Sequence, residues 1–344
     1  MGRDDADIRD WLVKHPKAAS PYTIQRVNES YDHIDDILAP FGEIDGQGRA
    51  LDMGCGTAFD TLALATHFDE VVGVDLTVRR IAASRWLARR ARVPRVHFVR
   101  AGAEQFRDPA PFDFAYCNIM SELANSRRAL IGNLCAGVRP GGRIYYAEEC
   151  EGWAPSQIGQ AIQDHDGREL RLRLHQVVNG FAGLPHFRFY LAGSAADVFA
   201  EHGFTLVKAD ILQRDGIPFR DSVWLQGTGE RDRSRPPAVE NDRDYTVLDP
   251  DFAEMRKIFL DALADPRPPA GTLVEQAAES DNRFAPLLIL LAAAFEVLGP
   301  NAGQPPSYVD RLRLRAPSRL GFPEPDWSAV TERFQAFRQL IEKR

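Results

Sequence analysis

Asp52-Met53-Gly54-Cys55-Gly56-Thr57 combines a carboxylate with two closely spaced glycines. Glycines at this spacing let the backbone turn sharply and let a ligand approach the main chain. Asp75 ends a second apolar run, Glu70 to Asp75, and stands 19 residues after Gly56. An acidic side chain at that point can accept hydrogen bonds from both hydroxyls of a ribose. A dinucleotide-binding fingerprint wants Gly or Ala three residues after its second glycine. Phe59 occupies that position, which argues against NAD or FAD.

Other residues could carry chemistry. Glu148, Glu149 and Glu151 end a fifth apolar run. Ligands of open parallel sheets bind at such ends, so a general base or a partner for a substrate ammonium fits there. Side chains alternate along a strand, so one of an adjacent pair can equally point to solvent. His165, within Asp164-His165-Asp166, suits a general base. His175 follows ten residues later, not at the i, i+4 spacing of a helical metal pair, and no metal is expected. Eight arginines lie between 79 and 100. They read as a patch for nucleic acid or, preferably, as a solvated helix face. Tyr22 and Tyr31 can cap a site or simply pack. Trp153, Phe181, Phe187, Phe189 and Tyr190 suit an apolar pocket or a core equally well.

The elements that must position these groups follow from periodicity. Residues 5–48 read as helical, with Tyr31, Ile34, Ile37 and Leu38 on one face, until Pro40, Gly42, Gly46 and Gly48 break the pattern. Short apolar runs then alternate with helical stretches: 50–53, 70–75, 95–100, 113–118 and 143–148, with helices such as 77–91 and 121–138 between them. That alternation predicts a parallel sheet covered on both faces. Residues 151–188 interrupt it as an insertion of one or two helices. A helix over 194–202 follows, then runs at 204–212 and 221–227 with no helix between them, which predicts an antiparallel pair. The charged, proline-rich stretch 228–243 is the expected domain boundary. Beyond it, helices are expected from Pro250 to Leu263, over 284–298, and from near Asp326 with Val330, Phe334, Phe337 and Ile341 on one stripe.

At these positions the chain resembles the class I S-adenosylmethionine-dependent methyltransferases. Leu51 to Thr57 looks like their first motif, Val72-Gly73-Val74-Asp75 like the ribose-binding segment, and Gly102-Ala103-Glu104 like the adenine-contacting segment. Phe112 to Asn118 resembles the fourth strand beside the methionine part of the cofactor, and Val138 to Arg143 the turn before the fifth strand. The resemblance covers roughly 49–228. It implies a Rossmann-like, seven-stranded, mostly parallel sheet with helices on both faces and a reversed last strand. It further implies S-adenosylmethionine as cofactor. Asp52 with Gly54, Cys55 and Gly56 would hold its amino-acid end, Asp75 and Leu76 its ribose side, Ala103 and Glu104 its adenine, and Asn118 would line the site near the sulfonium. No Asn-Pro-Pro-Tyr or Asp-Pro-Pro-Tyr follows the fourth strand, which speaks against adenine or glutamine methylation.

The expected organisation is an N-terminal helical cap (1–48), a cofactor domain (49–229) with the insertion 151–188, and a mainly helical region (244–344). The expected reaction is methyl transfer to a small-molecule O-, N- or C-nucleophile, with Glu148, Glu149 and His165 as candidate bases. Aminocarboxypropyl transfer shares every motif and remains the alternative. A net charge of −7 disfavours RNA as acceptor. The four cysteines have no Cys-x-x-Cys or zinc-finger spacing and are read as reduced, consistent with a cytoplasmic protein. The N-terminus lacks the order of a signal peptide, and the longest apolar stretch, Phe284 to Gly299, is too short to span a bilayer. A homodimer stays open, and the tail can be a lid, a dimerisation element or an independent domain.

Overall fold

The valine-rich runs become the central strands because they can be buried on both faces. The computed structural model of the protein describes residues 9, 12, 14, 21–42, 48–119, 124, 126–150, 152–182, 190, 192–214, 217–228, 250–263, 270–282, 284–298 and 325–342. Its strands are β1 (Arg49–Met53), β2 (Glu70–Asp75), β3 (Val96–Arg100), β4 (Phe112–Asn118), β5 (Val138–Glu149), β6 (Phe204–Arg214) and β7 (Ile217–Gly227). They form one seven-stranded sheet in the order β3-β2-β1-β4-β5-β7-β6. β1 to β5 pair in parallel, with Asp52 in register with Gly73 on one side and Tyr116 on the other. Only two residues separate β6 from β7. A parallel crossover needs a dozen or more, so this pair is antiparallel and the last strand is reversed.

Helices α1 (Pro21–Leu38), α2 (Phe59–Leu64), α3 (Val78–Ala91), α4 (Arg127–Gly137), α5 (Trp153–Gln163), α6 (Gly167–Ala182), α7 (Ser194–Ala200), α8 (Pro250–Leu263), α9 (Ala270–Glu279), α10 (Leu287–Leu298) and α11 (Trp327–Glu342) complete the described elements. Four differ from the periodicity reading, among them β7, which starts four residues before Asp221. α4 starts at Arg127 rather than near 121, because Ser126 caps it: its Oγ accepts the Ala129 amide at 3.0 Å. β5 begins five residues before Arg143, its pairing with β4 shifting register between Phe112 and Phe114. α9 was not anticipated. The linker beyond 228, Glu151, Phe187, Phe189 and the side chains of Tyr22 and Phe181 lie outside the described residues.

The chain divides into two compact units. The first comprises 1–148, 193–210 and 222–240; the second comprises 149–192, 211–221 and 241–344. In the first, alternate strand residues enter different cores. Phe114 and Tyr116 join Val27, Tyr31 and Ile34 of α1, Leu62 of α2 and Ile81 of α3. Ala115 and Cys117 join Leu130 and Leu134 of α4 and Phe199 of α7. Period-two alternation thus places helices on both faces. Polar anchors fix α1: the Trp224 indole donates to the Ile37 carbonyl at 2.8 Å, and His67 meets Asp35 at 2.9 Å.

The second unit is mainly helical, and its described helices share one apolar core. Ile158 and Ile162 of α5 and Leu170, Leu174 and Val177 of α6 pack with Met255 and Phe259 of α8, Leu273 of α9, Leu288 to Ala294 of α10, and Val330 and Phe337 of α11. The helices of the insertion and those of the C-terminal region therefore share one interior. Each large apolar side chain fully buried there contributes about 1.5–3 kcal/mol. The α11 stripe is placed as its spacing requires, Val330 and Phe337 buried and Phe334 and Ile341 packed against the same core. Asp326 caps α11, its Oδ1 accepting the Ser328 and Ala329 amides at 3.1 Å each. Among the described residues no helix is long and apolar enough to cross a membrane.

Candidate functional site

Strand order reverses beside β1, since β2 lies on one side of it and β4 on the other. In open α/β sheets a ligand crevice opens at the carboxyl ends of the strands at such a point. The loop after β1 lies there. The Gly54 and Cys55 amides both donate to the Val74 carbonyl, at 2.8 and 3.0 Å. Gly54 (φ +88°) and Gly56 (φ +53°) adopt left-handed conformations that make the turn sharp. A side chain built on Gly56 would meet nothing nearer than the Gly54 carbonyl at 3.9 Å, so open space lies over this backbone. Ala58, also left-handed at φ +69°, leads into α2.

Two carboxylates organise this loop. Asp52 is buried and accepts the Thr61 hydroxyl. Burial, then the negative charge of Asp60, lifts its carboxyl to about 8, so at neutral pH it is largely protonated. Asp75 accepts the Gly56 amide at 3.2 Å and the Thr77 amide at 2.6 Å, with Arg80 at 3.5 Å. It thereby ties the β2 end to the glycine loop. Leu76, directly after it, is 65% exposed and offers an apolar face beside the carboxylate. Cys55 is buried, its thiol pushed up by burial and then by Asp52, so it is no nucleophile. All four cysteines are buried and none is in a disulfide.

Beyond β3, the Ala103 carbonyl accepts the Asn133 amide. The Glu104 carboxylate accepts the Ser126 amide at 3.1 Å. At the end of β4, Asn118 donates to the Tyr116 hydroxyl at 2.8 Å, and that hydroxyl donates to Asp60 at 2.9 Å. Burial, then the Asp60 charge, pushes the Tyr116 hydroxyl well above its ordinary value, keeping it a donor. Tyr116 stacks on Tyr145 at 5.5 Å, and the His33 ring stands edge-on to both, at 6.4 and 6.2 Å. Ile119 follows at φ +53°, a conformation that costs a β-branched residue dearly.

Spacing did not single out Asp60, Tyr116, Tyr145 or His33. The available signal was the alternation along β4, which puts Tyr116 and Asn118 on one face.

The candidate bases fall in three different settings. Glu148 is fully buried, holds Arg127 through both carboxylate oxygens, and accepts the Tyr146 hydroxyl at 2.7 Å. Arg127 also reaches Ser194 at 3.1 Å. Glu149 is half-buried in the second unit. His165 is in the second unit too, exposed, with its ring 5.0 Å from that of Trp327. Of the arginines on α3, Arg85 donates to the Phe98 carbonyl at 2.6 Å. Together with Arg89, Arg92 and His97 it lines an open groove. No group of three or more His, Cys, Asp or Glu side chains among the described residues could hold a metal.

A parallel sheet with this order, a glycine loop at the switch point and an acid ending the next strand is the architecture of a Rossmann-like, nucleoside-binding methyltransferase domain. Residues 50–142 match the family described as a methyltransferase domain. The segment 50–142 is therefore part of a methyltransferase domain of the class that uses S-adenosylmethionine as cofactor. Ribosomal protein L11 methyltransferases of Ralstonia nicotianae and Ralstonia pickettii are 36% and 35% identical to it over 97 residues. Those residues are 28% of this chain, which spans only 30% of either relative. Among solved structures, the N-methyltransferase NodS of Bradyrhizobium japonicum aligns with 59% of this chain and 97% of its own, at 15% identity and a TM-score of 0.41. The YcgJ protein of Bacillus subtilis aligns with 59% of this chain and 99% of its own, at 16% identity and a TM-score of 0.43.

Proposed function

We propose that the protein transfers the methyl group of S-adenosylmethionine to a small-molecule nucleophile by in-line displacement. The observation that carries this is the loop 54–56, whose open backbone over Gly56 is tied to the Asp75 carboxylate. Bound there, the cofactor supplies an already activated methyl carbon. The residues then have to bind, orient and exclude water, and alignment alone can lower a barrier by roughly 7–11 kcal/mol.

In this reading the Asp52 carboxyl and the Gly54, Cys55 and Gly56 backbone hold the amino-acid end. Asp75 takes the ribose hydroxyls with its remaining lone pairs, and Leu76 packs beside them. Ala103 and Glu104 flank the adenine. Asn118, fixed by Tyr116 and Asp60, faces the sulfonium end. In this reading the catalytic domain is the part of 49–229 that belongs to the first unit, without the insertion 151–188, and 1–48 forms its cap. Glu148, bound to Arg127, braces the end of β5 rather than moving a proton. Where the acceptor loses a proton, His33, whose ring stands edge-on to the Tyr116–Tyr145 pair, can take it. Glu149 and His165 remain candidates carried by the second unit. The likeness to the L11 methyltransferases is confined to 97 residues and does not assign their acceptor to this chain.

Calorimetry with S-adenosylhomocysteine, followed by mass spectrometry of small acceptors incubated with S-adenosylmethionine, tests this. Binding and a product heavier by one methyl group are expected. A product carrying the aminocarboxypropyl group would replace methyl transfer with the alternative chemistry. Binding of NAD without S-adenosylhomocysteine would remove the proposal altogether.

A further inference from the structure

β6 ends the sheet at one margin, and every residue from Thr205 to Arg214 is exposed. The other margin, β3, has five residues and carries His97 and Arg100, which protect a free edge. β6 has 11 residues, and its middle presents Leu206, Val207, Ile211 and Leu212 at 50%, 44%, 38% and 41% exposure. A long edge of this kind is a template for another strand.

The sequence of that edge, Leu206-Val207-Lys208-Ala209-Asp210-Ile211-Leu212, reads as its own complement. We propose that β6 pairs antiparallel with β6 of a second copy of this chain, about a two-fold axis through Ala209. The inference does not depend on the proposed reaction. In a two-fold antiparallel pair both sheets keep the same faces, so the axis must pass through a residue. With the axis on Ala209, Leu206 faces the partner's Leu212, Val207 faces the partner's Ile211, and Lys208 faces the partner's Asp210. Each contact occurs twice. Directly opposed residues on an antiparallel pair are the ones that interact most strongly.

Neighbouring registers lack this match. An axis on Lys208 opposes two lysines, and an axis on Asp210 opposes two aspartates. An axis on Val207 sets Leu206 against a lysine, and one on Ile211 sets Lys208 against an arginine, that of position 214. Lys208 is already positioned, its ammonium 4.4 Å from the centre of the Trp224 ring on β7. A seam of one strand is smaller than the ~1,200–2,000 Å² of a standard stable interface, so a dimer in the micromolar range is expected.

Sedimentation velocity of the full chain across roughly two decades of micromolar concentration tests the pairing. The parent protein is expected to pass from monomer to dimer. Lys208→Asp and Asp210→Lys each replace two attractive pairs by two repulsive ones and should weaken the dimer about ten-fold or more. Combining both substitutions restores opposite charges and should restore the dimer. Val207→Lys, which leaves both native charges in place, should weaken it as well, so a folding fault in one variant does not decide the matter. A parent that stays monomeric overturns the inference. So do single variants that dimerise like the parent, or a double variant that fails to recover.

Discussion

In the first unit, polar side chains reach buried positions in pairs: Asp52 with Thr61, Tyr116 with Asp60, Arg127 with Glu148. The second unit's described core is Ala, Val, Leu, Ile, Met and Phe, with only Ser156, Arg171, Asp221 and Asn282 as buried polar residues. A partnered polar group costs little while its partner is present and much when it is lost. An apolar interior tolerates reshaping but not removal of whole helices. The two units should therefore fail in different ways.

The largest effect is expected from ending the chain at Thr228. That removes α8 to α11 and uncovers the faces of α5 and α6 that bury Ile158, Leu170, Leu174 and Val177. Insoluble protein, or a molten second unit that binds a hydrophobic dye, is the expected result. A soluble fragment with a cooperative melt would show that the shared core is dispensable. Phe337→Ala, within the same core, should cost about 3–5 kcal/mol in chemical denaturation.

Arg127→Met tests the first unit by the opposite route. It leaves Glu148 charged and buried without its partner, for a loss of about 3–5 kcal/mol. Adding Glu148→Gln should recover most of this, because the glutamine still accepts the Tyr146 hydroxyl while the buried charge is gone. No such rescue exists for Phe337→Ala, and that asymmetry is the sharpest form of the contrast. If the double variant is as unstable as the single one, the pair is not what sets the cost.

The contrast also explains what could be read in advance. Gly54 and Gly56 were legible as a turn because a tight turn restricts residue type and spacing, and both adopt its left-handed conformation. A parallel sheet with an antiparallel last pair followed from the alternation of runs and helices, whereas the order of the strands did not. The apolar stripe on α11 was legible too, but a stripe does not name what it packs against. That the insertion and the C-terminal helices share a core therefore emerges only in three dimensions. Glu148 could not be distinguished from a base, because its partner Arg127 is 21 residues away and carries no spacing rule. The Tyr116–Asp60 bond, spanning 56 residues, escaped for the same reason.

Smaller effects are expected around the loop. Asp75→Ala should weaken S-adenosylhomocysteine binding roughly ten- to a hundred-fold, since a hydrogen bond to a charged group is worth about 1.5–3 kcal/mol. Isothermal titration reads it directly. Asp52 predicts a pH dependence. In the folded chain its carboxyl is lifted to about 8, against the ordinary 3.8 of an aspartate. The folded state holds this proton longer than the unfolded one, so the contribution is complete below the lower value. It is lost as pH rises through the upper one, by up to roughly 1.4 kcal/mol per pH unit. Asp52→Asn keeps an acceptor for Thr61 and removes the titration. The variant should therefore gain on the parent in denaturation midpoints from pH 5 up to about pH 8, and the difference should level off above that.

The smallest effect separates strain that serves the site from strain that does not. Arg92 and Ile119 share the same left-handed φ of +53°. Arg92 ends α3, exposed, with its amide donating to the Arg89 carbonyl at 3.3 Å. Glycine is the usual residue at such a helix end, and a left-handed L-residue costs about 1–2 kcal/mol. Part of that relief is lost to the greater freedom of glycine in the unfolded chain, about 0.5–1 kcal/mol. Arg92→Gly should thus raise stability by up to about 1 kcal/mol, seen as a small rise in Tm, with S-adenosylhomocysteine affinity unchanged. Ile119→Gly gains the same backbone relief but frees the chain next to Asn118, whose amide is fixed on Tyr116. It should lower affinity or turnover while Tm stays level or rises. Equal affinity and activity in both variants would mean that the strain at Ile119 does no work for the site.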